Sequence, residues 1–157
     1  MFLYILRHAE AEPKIISDRE RRLTARGHEQ VQAMGRFCYE HKIFPEIILT
    51  SPVIRAKQTA EEFVAILKKG KLIEVPWMAC GMNPNDAFEQ LEAYAELDRV
   101  MIVGHNPDLN YLIATLLGLK NATSFEVKKG SLTAIKVEKF FFGAGTLKWT
   151  LPPELVH

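Results

Sequence analysis

Short apolar runs alternate with longer stretches of helical periodicity along this chain, and that rhythm restricts the fold to an α/β layer architecture with a mainly parallel sheet. The runs are Phe2–Leu6, Glu46–Thr50, Leu72–Val75 and Arg99–Val103, each of strand length. Thr24 offers a helix N-cap ahead of Val31, Met34, Phe37 and Cys38 at helical spacing. Ser51 with Pro52 is expected to open a second helix reaching about Lys69, with Ala56, Ala60, Phe63, Val64 and Leu67 inward. A third is expected over Pro84–Leu97. Asn106-Pro107 starts a fourth, which carries Leu109, Leu112, Ile113 and Leu116 and stops at Gly118. Beyond Gly118, Phe125–Lys128, Ser131–Glu138 and Thr146–Leu151 read as strands with no helices between them, an antiparallel addition to the sheet edge. No repeat, linker or low-complexity tract interrupts residues 1–157, so one domain is expected.

In open parallel sheets, ligands gather at the carboxyl ends of the strands. The first run is followed by Arg7 and His8, the second by Ser51, Pro52 and Arg55, and the fourth by Gly104, His105 and Asn106. Three strands therefore deliver two arginines and two histidines to one edge. Two guanidiniums can grip phosphoryl oxygens bidentately and keep their charge at any working pH. Helix starts at Pro52 and Pro107 add N–H groups and positive dipole ends. A neutral imidazole is nucleophilic, and the neighbouring cations should keep His8 unprotonated. Phosphoryl transfer is the chemistry that suits this set, with His8 attacking and Arg7, Arg55 and His105 binding the phosphate oxygens. No step calls for a metal or cofactor, and neither histidine has the thiolate or carboxylate company of a zinc site.

The bulk numbers exclude several other classes. A net charge of +1, with 25% charged residues spread along the chain, offers no basic stripe for nucleic acid. The apolar stretches Met1–Leu6 and Tyr111–Leu117 are too short for a signal core or a bilayer span, so no membrane partner and a cytoplasmic location are expected. Cys38 and Cys80 lack metal-ligand spacing, and Cys38 falls on an apolar helical stripe as a small hydrophobe.

At these same residues the sequence resembles the histidine phosphatase superfamily, which includes the phosphoglycerate mutases. Leu6-Arg7-His8-Ala9-Glu10 is similar to its first motif, and Arg22-Leu23-Thr24-Ala25-Arg26-Gly27 followed by Gln30 to its "LTxxGxxQ" stretch. Ser51-Pro52-Val53-Ile54-Arg55-Ala56-Lys57-Gln58-Thr59-Ala60-Glu61 resembles the second arginine motif, and Gly104-His105-Asn106-Pro107 the second histidine motif. Within the superfamily the likeness is to SixA-type phosphohistidine phosphatases, carried by Ala11-Glu12 after the first motif, by Lys129-Gly130-Ser131-Leu132 and by Trp149-Thr150-Leu151-Pro152-Pro153-Glu154-Leu155. The resemblance implies a three-layer αβα, phosphoglycerate mutase-like fold. It also implies a phosphohistidine intermediate at His8, and as partner a histidine-phosphorylated protein such as a phosphotransfer domain of a phosphorelay.

Larger relatives of this kind place a carboxylate acid after the third strand, where this chain reads Val75-Pro76-Trp77-Met78-Ala79-Cys80-Gly81. An alkoxide leaving group needs a proton, whereas imidazole leaves more easily, so the missing acid favours phosphohistidine over a phosphomonoester. Asp18, in the loop after His8, is the candidate proton donor or supporting partner of the site; a solvated place in the charged run Asp18–Arg22 is the competing reading. Asp86 is the weaker acid candidate. Helix packing or end-capping accounts for His28 and His41, core or hairpin packing for Phe140-Phe141-Phe142, and the core or cleft rim for Trp77 and Trp149. The competing functions are a phosphomonoesterase for small metabolites and a non-catalytic phosphate- or phosphoprotein-binding module.

Overall fold

The computed structural model describes residues 1–14 and 17–156; His157, expected to be a loose terminus, lies outside them. Six strands form one sheet: β1 (Phe2–Arg7), β2 (Ile47–Thr50), β3 (Lys71–Glu74), β4 (Arg99–Gly104), β5 (Leu132–Lys136) and β6 (Thr146–Leu151), in the order β3-β2-β4-β1-β5-β6. β1, β2, β3 and β4 run parallel, while β5 and β6 are antiparallel additions on the β1 side. This is the expected α/β class with antiparallel C-terminal strands.

Strand side chains alternate between faces, so each apolar run feeds two cores. Leu3, Ile5, Leu49, Val100 and Ile102 pack with α3 (Pro84–Glu92) and α4 (Asp108–Leu117) on one face. Tyr4, Leu6, Ile48, Met101 and Val103 pack with α1 (Ala25–Glu40) and α2 (Ile54–Leu67) on the other. Among the described residues, no helix is long and apolar enough to cross a membrane.

Thr24 caps α1 as expected, its hydroxyl oxygen accepting from the Gly27 N–H at 3.0 Å. Gly118 ends α4 in the left-handed conformation, φ 68°, where a side chain would be strained. Elsewhere the structure departs from the sequence pattern. α2 begins at Ile54, with Val53 rather than Ser51 as its cap, so Pro52 precedes the helix. α3 stops at Glu92, and tighter turns carry the chain on to Leu97. Phe125–Lys128 is not a strand, because its carbonyls serve side chains instead of a neighbouring ladder: Phe125 O accepts from Asn110, and Val127 O from Arg7 and Asn106. Of the three phenylalanines, only Phe140 packs inward, its ring 5.8 Å from that of Phe88; Phe141 and Phe142 are 58% and 61% exposed. His41 Nδ1 donates to the Phe37 carbonyl at the end of α1, and His28 bonds Glu62, which matches their expected structural roles. Cys38 is buried, with its thiol pushed up to about 12 by burial, and Cys80 is exposed; both are free thiols.

Candidate active site

The parallel strands β1, β2 and β4 end side by side, with Arg7 paired to Gly104 and Thr50 to Val103. This register sets Arg7, His8, Ser51 and His105 at one edge, and α2 adds Arg55 in its first turn. His8, Arg55 and His105 are 4%, 5% and 2% exposed, and Arg7 is partly buried. The His8 and His105 ring centroids lie 5.8 Å apart.

His8 Nδ1 lies 2.7 Å from the Ala9 carbonyl oxygen, which can only accept, so Nδ1 carries a proton. Nε2 then bears the lone pair, and the Arg55 Nε–H donates to it at 3.2 Å. The imidazole is held far below its ordinary value, at about 3. Burial is the largest cause, ahead of the charges of Arg55, His105 and Arg7. The neutral state is the one expected from the sequence, but desolvation contributes more to it than the neighbouring cations do.

Arg55 is held from its far side by Asp18. Nη1 donates to the Asp18 main-chain carbonyl at 2.8 Å and Nη2 to its carboxylate at 3.1 Å. Arg21 binds the other Asp18 oxygen at 3.0 Å. The hydrogen bond from Arg21, with Arg55 beside it, draws the Asp18 carboxyl below its usual range. A carboxylate kept ionised in this way is a poor proton donor. Its geometry is that of a strut behind Arg55. Asp86 sits exposed in the first turn of α3.

Arg7 Nη1 donates to the Val127 carbonyl at 2.7 Å, while its buried Nε–H has no partner among the described residues. That leaves donor capacity on a cation at the site, as a bound oxyanion requires. Burial is the main cause lowering the Arg7 pKa. Val127 O also accepts from Asn106 Nδ2 at 3.2 Å, so one loop carbonyl ties together the ends of β1 and β4.

His105 is anchored differently. Its Nε2 pairs with Ser51 Oγ at 2.8 Å, and Ser51 Oγ also accepts from the Val53 N–H at 3.2 Å. Burial and then Arg55 lower its pKa, while Asp108, the Met78 main chain and Asp18 oppose them. Asp108, at the start of α4, accepts from the N–H groups of Gly81 and Met82 at 2.9 and 3.1 Å. It thereby fixes the acid-free segment after β3 against the helix that follows His105. Among the described residues, no group of three or more His, Cys, Asp or Glu is arranged to hold a metal ion.

Residues 3–80 match the profile of the histidine phosphatase superfamily, branch 1. The Haemophilus influenzae phosphohistidine phosphatase SixA homolog is 30% identical over 138 residues, which cover 80% of this chain and 82% of that one. The chain belongs to the histidine phosphatase superfamily. Escherichia coli phosphohistidine phosphatase SixA is 28% identical over 156 residues, covering 98% of this chain and 94% of that protein. The structure of the protein histidine phosphatase SixA complexed with tungstate superposes with a TM-score of 0.87 at 26% identity, covering 98% and 97% of the two chains. The fold is shared more widely: the α-ribazole phosphatase of Shigella flexneri, 21% identical, gives a TM-score of 0.77 over 94% of this chain and 95% of that one.

Several supporting residues of this superfamily member have roles that the sequence pattern does not reveal. Ser51 reads as a helix cap, yet its hydroxyl holds His105. Thr59, fully buried on α2, accepts from the Ala9 N–H at 3.1 Å. Gln30 Oε1 accepts from the Glu10 N–H at 2.9 Å. Ser51, Thr59 and Gln30 all lie within the motifs, which is the one signal the sequence offers for them. Gly27 has a steric reason for its place, since a Cβ there would stand 2.1 Å from the Glu10 carbonyl oxygen.

Proposed function

We propose that this histidine phosphatase removes phosphate from histidine-phosphorylated proteins, with a phosphohistidine intermediate at His8 Nε2. The observation that carries the reading is the state of His8: proton fixed on Nδ1, lone pair on Nε2, and an arginine N–H against that lone pair. An incoming phosphoryl group draws Arg55 Nε–H from Nε2 to one of its own oxygens, which exposes the nucleophile and neutralises charge together. Arg7, through the Nε–H that has no partner among the described residues, and His105 take the remaining oxygens. The tungstate that SixA binds is a tetrahedral oxyanion like phosphate, which fits a site of this composition.

The lone pair of Nε2 forms the new N–P bond as the bond to the substrate nitrogen breaks and its electron pair returns to that nitrogen. A phosphohistidine protonated on its other ring nitrogen leaves as neutral imidazole, with no acid needed at the breaking bond. His8 meets the same condition in the second step. Its Nδ1–H is already in place, so water attacks phosphorus and releases His8 as neutral imidazole and phosphate. An ester lacks this route and needs a proton for its alkoxide. The only carboxylate bonded to the site cations among the described residues, Asp18, is held ionised, and the stretch Val75–Gly81 has none. Between β3 and β4 the chain forms a turn at Pro76–Met78, one nine-residue helix and the turns that follow it, with no further helix, which favours a substrate presented by another protein.

The test is phosphate release from a histidine-phosphorylated phosphotransfer domain and from p-nitrophenyl phosphate in parallel, with a chelator present and His8→Ala as control. Fast turnover of the phosphoprotein, slow turnover of the ester and a dead variant are expected. Preference for the ester would instead identify a phosphomonoesterase. Turnover of neither, with phosphate still bound, would identify a binding module.

A further inference from the structure

We propose that Gln30 and Thr59 are positioning residues that act on His8 through the Ala9 backbone, locking the nucleophile in its Nδ1–H tautomer. The proposal rests on His8 being the nucleophile, and it adds the device that keeps His8 ready. The Ala9–Glu10 peptide is engaged at both ends. Its carbonyl accepts from His8 Nδ1 at 2.7 Å, and its N–H donates to Gln30 Oε1 at 2.9 Å. Hydrogen bonds in series polarise one another, so a bond to Gln30 at the N–H makes the carbonyl a stronger acceptor for Nδ1–H.

The preceding peptide is fixed as well. The Thr59 hydroxyl donates to the Arg55 carbonyl at 2.8 Å, which spends its only proton, and its oxygen is left to accept from the Ala9 N–H at 3.1 Å. The run from His8 through Ala9 and Thr59 reaches Arg55, whose Nε–H returns to His8 Nε2. Nucleophile and phosphate-gripping arginine are thus held at one spacing by a closed circuit, with His8, Ala9, Thr59 and Arg55 all buried. Gly130 leaves room for Gln30: its N–H donates to the carbonyls of Arg7 and His8, and a Cβ on it would stand 3.2 Å from Gln30 Cβ.

When His8 carries the phosphoryl group at Nε2, its ring is cationic because Nδ1 keeps its proton. The polarised carbonyl then stabilises that charge, much as a carboxylate behind a catalytic histidine does.

The experiment compares wild type with Gln30→Met, Thr59→Val, Gln30→Glu and Thr59→Ser, using 15N-labelled histidine. Two readouts apply: the imidazole 15N shifts of His8 in the unliganded protein, and kcat and KM on p-nitrophenyl phosphate. Wild type should show one tautomer, protonated at Nδ1. Gln30→Met and Thr59→Val should show exchange between tautomers and a kcat lower by about 10-fold, with KM within about twofold, the low end for partners behind an active histidine. Gln30→Glu and Thr59→Ser keep the acceptor oxygens and should restore both readouts. Folding is checked by circular dichroism, and either folded variant decides. An unchanged single tautomer with unchanged kcat would overturn the proposal. A wild type without phosphatase activity would sink the proposed function, and the 15N shifts would still report whether Gln30 and Thr59 hold the tautomer.

Discussion

His8 and His105 follow adjacent parallel strands, are almost equally buried, and are still held by different kinds of partner. His8 is tied through Nδ1 to a backbone carbonyl and offers Nε2 towards Arg55. His105 is tied through Nε2 to the hydroxyl of Ser51 and stands near the carboxylate of Asp108. A carbonyl can only accept, so it dictates a tautomer; a hydroxyl can donate or accept, so it tolerates both the neutral and the protonated ring. One strand end is therefore built to keep a lone pair. The other accommodates either charge state of its ring. Burial alone would have made the two histidines alike, and the partner of the second nitrogen makes them different.

The largest effect is expected at the proposed nucleophile. His8→Ala should abolish phosphoenzyme formation and lower kcat by at least about 10⁴-fold, as loss of a covalent nucleophile does. His105→Ala keeps the nucleophile and should cost about 10²-fold, the scale for one oxyanion donor. Trapping 32P on the protein separates the two: His105→Ala should still label, and His8→Ala should not. Equal losses with equal labelling would erase the distinction between the two histidines.

Arg55→Lys comes next. A lysine keeps the charge but loses the planar fork that reaches His8 with Nε and Asp18 with both terminal nitrogens. A loss of about 10²-fold in kcat/KM is expected, with weaker inhibition by tungstate, measured by steady-state kinetics.

Strand ends are legible in the sequence because buried parallel strands read as plain apolar runs, and the residues next after each run land on one edge. That logic alone brings Arg7, His8, Arg55 and His105 together. The supporting contacts are not legible in the same way. Gln30 meets Glu10 across 20 residues and Thr59 meets Ala9 across 50, and both act on main-chain atoms that carry no sequence signature. Phe125 and Val127 alternate like a strand, yet the Val127 carbonyl is claimed by Arg7 and Asn106, a competition that only three-dimensional proximity reveals. Ser51 before Pro52 looks like a helix start; its hydroxyl does satisfy the Val53 N–H, but α2 begins at Ile54 and the same oxygen meets His105.

Acid stability reports the neutral state that both histidines share. The folded-state pKa of His8 lies at about 3, below the unfolded value near 6.5, so the unfolded chain binds the extra proton between those limits. The contribution of neutral His8 to stability is therefore complete above about pH 6.5 and declines as pH falls towards 3. His105 is shifted in the same direction. Denaturant melts from pH 7 to pH 4 should show wild type losing stability, with a shallower slope for His8→Gln. Saturating phosphate should flatten the slope too, because a bound anion stabilises a protonated His105. Parallel slopes for wild type and His8→Gln would mean that His8 takes up its proton in the folded protein as readily as in the unfolded chain.

The smallest effect is expected at Asp18, and it decides what stands behind Arg55. As a strut, Asp18 supplies its main-chain carbonyl as well as its carboxylate, and Asn keeps the carbonyl and one side-chain oxygen. Asp18→Asn should then lower kcat less than about fivefold, equally for p-nitrophenyl phosphate and for an alkyl phosphate with a poorer leaving group. As a proton donor, Asp18 would matter more as the leaving group worsens, so the alkyl ester would suffer about 10²-fold or more while p-nitrophenyl phosphate was spared. The hydrogen bond from Arg21 and the charge of Arg55 hold the carboxyl ionised, which favours the first outcome. Asp18 is also partly exposed, so solvent screens its ion pairs and removing one charge should shift stability by less than about 1 kcal/mol. A flat response across leaving groups would exclude Asp18 as the proton donor and favour a substrate that needs none. A steep one would return the protein to phosphate esters.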